Sequence, residues 1–438
     1  MMYKLDLNPP QMIISIFVVL ILSGTFLLKL PFASTEGVSL IDALFTATSA
    51  MTVTGLIVVD TGTAYTLFGQ IIILLLIQLG GLGIMTFAVL IYMAVGKKIG
   101  IKERLLVKQA LNQSAIGGVV RLAKQLLVFS LVVEAIAVIF LSFKWIPEMG
   151  WGPGFYASVF HSISAFNNAG FSIWSDSLSS YVVSPIVNIV ITFLFIIGGI
   201  GFTVVFDMWK SKEFKQLSLQ TKLMIVGTLA INTFSFFMIF FLEYNNPNTL
   251  ADLSSLGKIQ AAYFQAVTPR TAGFNTLDIG QMEEASLFYI ITLMFVGGGS
   301  ASTAGGIKLT TALAILLATL SFFKDKEHVV VYERSLTSHV INKALALAVG
   351  SLCVVVITIF ILNLTEEASF LTIMFESVSA FGTVGLSMGL TGSLTLIGKI
   401  TIIFTMLIGK LGPLTFAFAF AKQTPDPVKY PSEEILTG

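Results

Sequence analysis

The stretch Phe45-Thr-Ala-Thr-Ser49-Ala-Met-Thr-Val-Thr-Gly55-Leu56 recurs, in variant form, three more times along the 438 residues. The second copy reads Phe160-His-Ser-Ile-Ser164-Ala-Phe-Asn-Asn-Ala-Gly170-Phe171, and the fourth reads Phe375-Glu-Ser-Val-Ser379-Ala-Phe-Gly-Thr-Val-Gly385-Leu386. The third, Phe264-Gln-Ala-Val-Thr268-Pro-Arg-Thr-Ala-Gly273-Phe274, is one residue shorter. Each copy is Phe, three residues, Ser or Thr, then Gly followed by Leu or Phe. The copies sit at the ends of short apolar stretches, Leu40–Met51, Phe155–Phe166, Ile259–Val267 and Phe370–Phe381. A bilayer core takes roughly 20 apolar residues, so these stretches enter a membrane without crossing it.

Long apolar runs flank them, near residues 12–30, 68–94, 125–143, 186–208, 223–242, 287–322, 344–363 and 394–420. Hydrophobic residues make up 55% of the chain and charged residues 11%. Soluble domains carry about 25% charged residues, so this chain has too little charge to solvate a soluble surface of its size. It reads as an all-α polytopic membrane protein with eight spans. A net charge of +1 argues against a nucleic-acid partner. The single cysteine, Cys353, excludes an intrachain disulfide and reads as a small apolar packer. Met12 to Leu30 reads as a retained first helix, since no clear cleavage site follows it.

Charge sets the orientation. Lys97, Lys98, Lys102, Arg104, Lys108, Arg121 and Lys124 follow the second span. Lys210, Lys212, Lys215 and Lys222 follow the fourth, and Lys324, Lys326, Arg334 and Lys343 follow the sixth. The segments holding the short stretches carry Glu36, Asp42, Asp60, Glu148, Asp252, Asp278, Glu283, Glu284, Glu366 and Glu367 instead. Basic connectors and both termini are therefore expected in the cytoplasm, with the short stretches entering from outside. The basic 95–124 connector has helical apolar spacing and is expected on the membrane surface. Lys29 can snorkel to the outer interface.

The following spans repeat as well. Gly80-Gly81-Leu-Gly83, Gly198-Gly199-Ile-Gly201, Gly297-Gly298-Gly299 and Gly409-Lys410-Leu-Gly412 each lie about 25 residues beyond the motif glycine. The unit is helix, re-entrant helix, glycine loop, helix, with repeats at 1–100, 101–215, 216–330 and 331–438. All copies run in the same direction, which favours a rotationally pseudo-symmetric pore over inverted repeats. For Gly80, Gly83, Gly198, Gly201 and Gly412 the favoured reading is close helix packing.

A cation inside a membrane needs oxygen ligands in place of water, and rings of backbone carbonyls supply them. Non-helical backbone at that depth survives only where it lines a cavity or is packed in protein. Glycine permits positive φ, so it can turn neighbouring carbonyls towards an axis. The pore helix before it aims its partly negative end at the same point. A single such glycine reads as packing, but four aligned copies read as one ring. The expected ion filter is Thr54, Gly55, Ala169, Gly170, Ala272, Gly273, Val384 and Gly385, with potassium held by carbonyls beside the four glycines. Thr52, Val53, Asn167, Asn168, Thr271, Gly382 and Thr383 are its expected supports.

These four motifs resemble those of the Trk/Ktr/HKT superfamily of potassium transporters, most closely the bacterial Ktr membrane subunits of the KtrB and KtrD type, over essentially the whole chain. The resemblance implies a central pseudo-four-fold pore of four helix–pore-loop–helix repeats. It implies potassium uptake, frequently stimulated by sodium, in a homodimer with one pore per subunit in the bacterial cell membrane. It also implies a cytoplasmic regulatory ring of the KtrA/KtrC type that holds the nucleotide, with no cofactor in this chain. Some relatives carry Ser at the first filter position and favour sodium; Gly55 points to potassium. One glycine per repeat, unlike the Thr-Val-Gly-Tyr-Gly of potassium channels, predicts weaker selectivity.

The run 287–322 is too long for one crossing. Its centre, Val-Gly297-Gly298-Gly299-Ser300-Ala-Ser-Thr303-Ala-Gly305-Gly306-Ile-Lys308, holds five glycines. Each costs roughly 1 kcal/mol in a helix interior, so the helix should break. A flexible intramembrane gate beneath the filter is the favoured reading, and the resemblance implies the same; a small-residue packing face is the other. Lys308 is a gate residue or snorkels to the cytoplasmic face. Lys410 stands where close family members usually have Arg against the gate loop; it keeps the charge but loses the planar fork of donors. Arg270 reads as a structural brace with a carboxylate partner, Glu376 or Asp60. His161 reads as a hydrogen-bonded packer.

The alternative function is a cation-coupled symporter of another solute, which needs a solute pocket beside the axis. No metal-spaced His cluster, nucleophile motif or phosphate loop supports an enzyme.

Overall fold

A computed structural model describes residues 8–83, 119–211, 213–420, 431 and 433. Repeat one contains α1 (Pro9–Leu28), the pore helix α2 (Leu40–Met51) and α3 (Leu67–Leu82). Repeat two contains α4 (Val119–Met149), the pore helix α5 (Trp151–Phe166), α6 (Pro185–Ile200) and α7 (Phe202–Lys210). Repeat three contains α8 (Leu219–Glu243), the pore helix α9 (Ser255–Val267), α10 (Glu284–Phe295) and α11 (Leu309–Phe323). A two-residue hairpin, Val330–Val331 with Arg334–Ser335, leads to repeat four. That repeat contains α12 (Ser338–Thr365), the pore helix α13 (Phe370–Gly382), α14 (Leu396–Leu411) and α15 (Pro413–Phe420).

The outer helices α1, α4, α8 and α12 are each long and apolar enough to cross a membrane. Phe26, Phe143, Phe241 and Phe360, one on each, are 69%, 70%, 71% and 65% exposed. Apolar surface on that scale suits lipid rather than water. Cys353, expected as a packer, is also exposed on α12. The basic 95–124 connector lies mostly outside the described residues.

Helix starts are written locally. Asn8 and Gln11 form a reciprocal cap at α1, with Pro9 in the first turn. Ser39, Ser254 and Ser369 cap three pore helices through the backbone N–H three residues on. Thr66 and Thr395 do the same for α3 and α14. Acids at the ends of two outer helices hold the starts of the inner helices. Glu243 accepts from the Glu283 N–H at 3.0 Å, and Glu366 from the Thr395 N–H at 2.9 Å. Glu243 is fully buried and is satisfied by Asn246 and Thr249 as well.

Two expectations need correction. The runs 186–208 and 394–420, expected as spans, are interrupted like the sixth. α6 and α7 are bent by 93° at Gly201, and α14 and α15 by 93° at Gly412. Continuous spans over 186–208 and 394–420 therefore do not form. The second glycine set also divides in two. Gly80, Gly198 and Gly409 are packing positions: a Cβ there would come within 1.9, 1.9 and 2.0 Å of the carbonyl oxygens of Met51, Phe166 and Phe381 at the pore-helix ends. Gly83, Gly201 and Gly412, at φ 81°, 106° and 85°, end the helices instead. A Cβ on Gly83 or Gly412 would meet nothing within 4 Å, so those two supply backbone conformation and not space, whereas one on Gly201 would also come within 2.6 Å of the Ser300 carbonyl oxygen, a packing contact as well as a bend.

Candidate functional site

The four motif glycines close into a ring. A Cβ on Gly55 would lie 2.4 Å from the Ala169 carbonyl oxygen, and one on Gly170 would lie 3.1 Å from that of Ala272. A Cβ on Gly273 would lie 2.2 Å from the Val384 oxygen, and one on Gly385 would lie 2.1 Å from the Thr54 oxygen. Each repeat's glycine thus abuts the carbonyl just before the next repeat's glycine, and the fourth returns to the first. The glycines have φ of 90°, 67°, 78° and 91°. Two residues earlier, Val53, Asn168, Thr271 and Thr383 also have positive φ, at 50°, 57°, 72° and 49°. Left-handed backbone costs a non-glycine residue about 1–2 kcal/mol, and β-branched Val53, Thr271 and Thr383 are less suited to it than Asn168. The flanking structure holds that strain in place.

The aligned Ser or Thr does much of this holding. The Ser49 hydroxyl accepts from the Gly55 N–H at 3.1 Å, and that of Ser379 from the Gly385 N–H at 3.2 Å. Ser164 donates to the Phe171 carbonyl at 2.7 Å, and Thr268 to that of Phe274 at 2.5 Å. The shorter third motif is absorbed in its turn. Thr54, Ala169 and Val384 donate their N–H to the carbonyls of Ser49, Ser164 and Ser379, five residues back, whereas Ala272 donates to Thr268, four back. The aligned Phe45, Phe160, Phe264 and Phe375, and the following Leu56, Phe171, Phe274 and Leu386, are all buried and wedge each segment into the core.

Beneath the ring, the chain between α10 and α11 leaves the helix over residues 296–308. It crosses from repeat two to repeat four. The Gly299 N–H donates to the Gly199 carbonyl at 2.7 Å and the Thr303 N–H to that of Gly198 at 3.2 Å; the Phe202 N–H donates to the Ala301 carbonyl at 2.9 Å. At its far end the Gly306 N–H donates to the Gly409 carbonyl at 3.3 Å. The loop touches two of the expected filter supports: a Cβ on Gly305 would lie 2.1 Å from the Thr383 hydroxyl, and one on Gly306 3.2 Å from the Gly382 Cα. Gly297 and Gly298 sit equally tightly, against the Gly305 and Gly199 carbonyls at 2.4 and 2.6 Å. The Ser300 hydroxyl pairs with Thr310 at 3.1 Å. On the other side lies a cavity of about 490 Å³ whose lining includes Ser302, Lys308, Lys343 and Lys410.

Two lysines and one asparagine fasten the loop. Lys410 Nζ donates to the Thr303 carbonyl at 2.6 Å. Lys308 Nζ donates to the Ala304 carbonyl within its own loop, so it folds back on the loop instead of snorkelling away. The Thr303 hydroxyl donates to Asn168 Oδ1 at 3.0 Å, and Asn168 Nδ2 donates to the Thr271 hydroxyl at 3.3 Å. Asn168 therefore joins the second and third motif segments to the loop.

The expected Arg270 partners are not there. Its NH1 donates to Asn232 Oδ1 at 3.1 Å. The Glu376 carboxylate is taken by Ser387, at 2.7 Å, and by Thr391. Asp60 caps the turn at Thr63 instead. His161 is the expected packer, with Nδ1 at 2.8 Å from the Ala157 carbonyl and its ring stacked on Trp174. Asn167 is tied to Gln78 Oε1 at 2.7 Å and to Glu134 Oε1 at 3.3 Å. Glu134 and Gln78 escaped the sequence reading. The available signal was a lone carboxylate inside the apolar run 125–143, a costly placement that marks a functional residue by default.

This ring of backbone carbonyls above a glycine loop, among bent inner helices, is the candidate site of a membrane cation transport protein. A model of the TrkH family, described as "Cation transport protein", matches residues 4–430, and the chain belongs to that family. It is 56% identical over 431 residues to the Ktr system potassium uptake protein B of Bacillus subtilis (strain 168), covering 98% of this chain and 97% of the relative. It is 45% identical over 432 residues to the protein of the same name from Vibrio alginolyticus, covering 98% and 95%. To the potassium/sodium uptake protein NtpJ of Enterococcus hirae it is 39% identical over 441 residues, covering 99% and 98%. Among solved structures, the potassium transporter TrkH of Vibrio parahaemolyticus superimposes with a TM-score of 0.75 at 21% identity, covering 96% of this chain and 87% of that one. That likeness shows a shared fold.

Proposed function

We propose that this chain takes up potassium across the bacterial cell membrane, as the membrane subunit of a Ktr-type system. The observation that carries the reading is the closed ring, in which each filter glycine abuts the carbonyl of the next segment. Carbonyls of Thr54, Ala169, Ala272 and Val384 replace the ion's water shell, and the pore-helix ends favour positive charge there. The names of the relatives above support potassium as the substrate, and that of the Enterococcus protein fits a role for sodium beside it. Residues 297–306 with Lys308 and Lys410 form the gate. A separate cytoplasmic nucleotide-binding ring of the KtrA/KtrC type moves that gate, the subunit works as a homodimer, and both termini face the cytoplasm.

The test is rubidium uptake and potassium-limited growth in a strain lacking its own uptake systems, with a regulatory subunit supplied. Wild type should restore both. Gly55→Ser should let sodium compete more effectively, and Gly273→Ser should abolish uptake. No uptake by wild type would remove the proposal.

A further inference from the structure

Arg270 occupies the third filter segment, two residues before Ala272, and is 8% exposed. A guanidinium stays charged under all ordinary conditions and carries five donor hydrogens. Here it makes one side-chain hydrogen bond, to the neutral amide of Asn232. Its Nε is buried without a partner, as is the nearby hydroxyl of Thr228. Among the described residues no carboxylate lies within ion-pair distance of it. A buried charge left unpaired costs several kcal/mol, so a structure that keeps one supplies a counter-charge.

The surroundings hold a place for it. Arg270, Asn232, Thr228, Gly199 and Gly298 line a cleft of about 20 Å³ between α6, α8 and the gate loop. A single water-sized group needs about 10–15 Å³ of such space. Repeat two shows the contrast. Counting back from the filter glycine, Asn167 stands where Arg270 stands in repeat three. There a carboxylate, Glu134, faces amide donors from Gln78 and Asn167 and is satisfied within the protein. In repeat three the charge is positive and the protein offers it one amide oxygen.

We propose that this cleft is an anion site, which takes one monatomic halide against the Arg270 guanidinium and the Thr228 hydroxyl. The site adjoins both a filter segment and, through Gly298, the gate loop. The bound anion offsets a positive charge that otherwise opposes cations in that quarter of the ring.

The test uses the full chain purified in lipid nanodiscs, at fixed potassium and ionic strength, with gluconate replaced stepwise by chloride. Wild type should gain about 2 °C or more in melting temperature, with saturation. Asn232→Asp places a carboxylate beside the guanidinium and should abolish the chloride response. Thr228→Val should weaken it without removing it. Crystals soaked in bromide should show an anomalous peak beside Arg270, which keeps the test open if a variant fails to fold. A melting temperature that ignores chloride, with no bromide peak, means that the cleft holds only water and overturns the site. An equal response in wild type and Asn232→Asp places the halide elsewhere and also overturns it. The readout does not involve transport, so its failure leaves the uptake reading untouched.

Discussion

The carbonyl oxygen of Thr54 lies so close to Gly385 that a methyl group added there would approach it to 2.1 Å. Residues 331 apart in sequence thereby close the ring of motif glycines, and the Lys399–Asp42 ion pair at 2.7 Å joins the same two repeats.

Gly385→Ala should therefore lose transport, not merely slow it. The new methyl meets backbone, which cannot swing aside, and φ of 91° adds about 1–2 kcal/mol of strain. Rubidium uptake should fall at least tenfold with the protein still in the membrane. Uptake near the wild-type level would show that the ring is wider than this geometry.

Ser379→Ala removes the hydroxyl that accepts the Gly385 N–H and leaves that donor with a weaker environment. A net hydrogen bond of this kind contributes about 0.5–1.5 kcal/mol. We expect a milder phenotype: a lowered potassium-to-sodium preference in competition uptake, with expression intact. Ser379→Thr should restore most of it.

Lys410→Ala should act on the gate and spare the filter. Lys410 holds the loop by the Thr303 carbonyl, which is backbone. Loss of this charged donor should raise uptake in the absence of the regulatory ring, and deletion of 297–306 should raise it further. Thr303→Val keeps the carbonyl but loses the bond to Asn168, so a smaller rise is expected. A changed potassium-to-sodium ratio with normal regulation would refute the assignment of Lys410.

Gly409 and Gly412, three residues apart at the end of the fourth inner helix, should separate cleanly. Gly409→Ala drives a methyl to within 2.0 Å of the Phe381 carbonyl oxygen and should cost assembly, read as loss of folded protein by size-exclusion fluorescence. Gly412→Ala meets open space and carries only the strain of φ at 85°. It should express and transport, with altered gating at the bend. Equal damage from both would contradict the division between packing and bending glycines.

Much of this site is legible in the chain because membranes restrict the options. Gly55, Gly170, Gly273 and Gly385 stand out since only glycine fits, and repetition makes each copy evidence for the others. The loop over 297–306 is legible for the same reason, since five glycines cannot sit unnoticed in a span. The Arg270 partner is not legible, because Glu376 and Asp60 offer charge at plausible sequence positions while hydroxyls and a turn claim them. Glu134 was passed over because its partners, Gln78 and Asn167, lie in two other segments.

The sequence by itself determined the four-fold unit, the four motif glycines and the place where the third inner helix opens, because apolar length, repetition and glycine content are local properties. Only the tertiary structure decided that the four glycines close in one ring, that every inner span described to its end bends or opens, and that Arg270 faces an amide and a small cleft instead of a carboxylate. Those are contacts between segments as far apart as Thr54 and Gly385, and a linear pattern carries no distance between them.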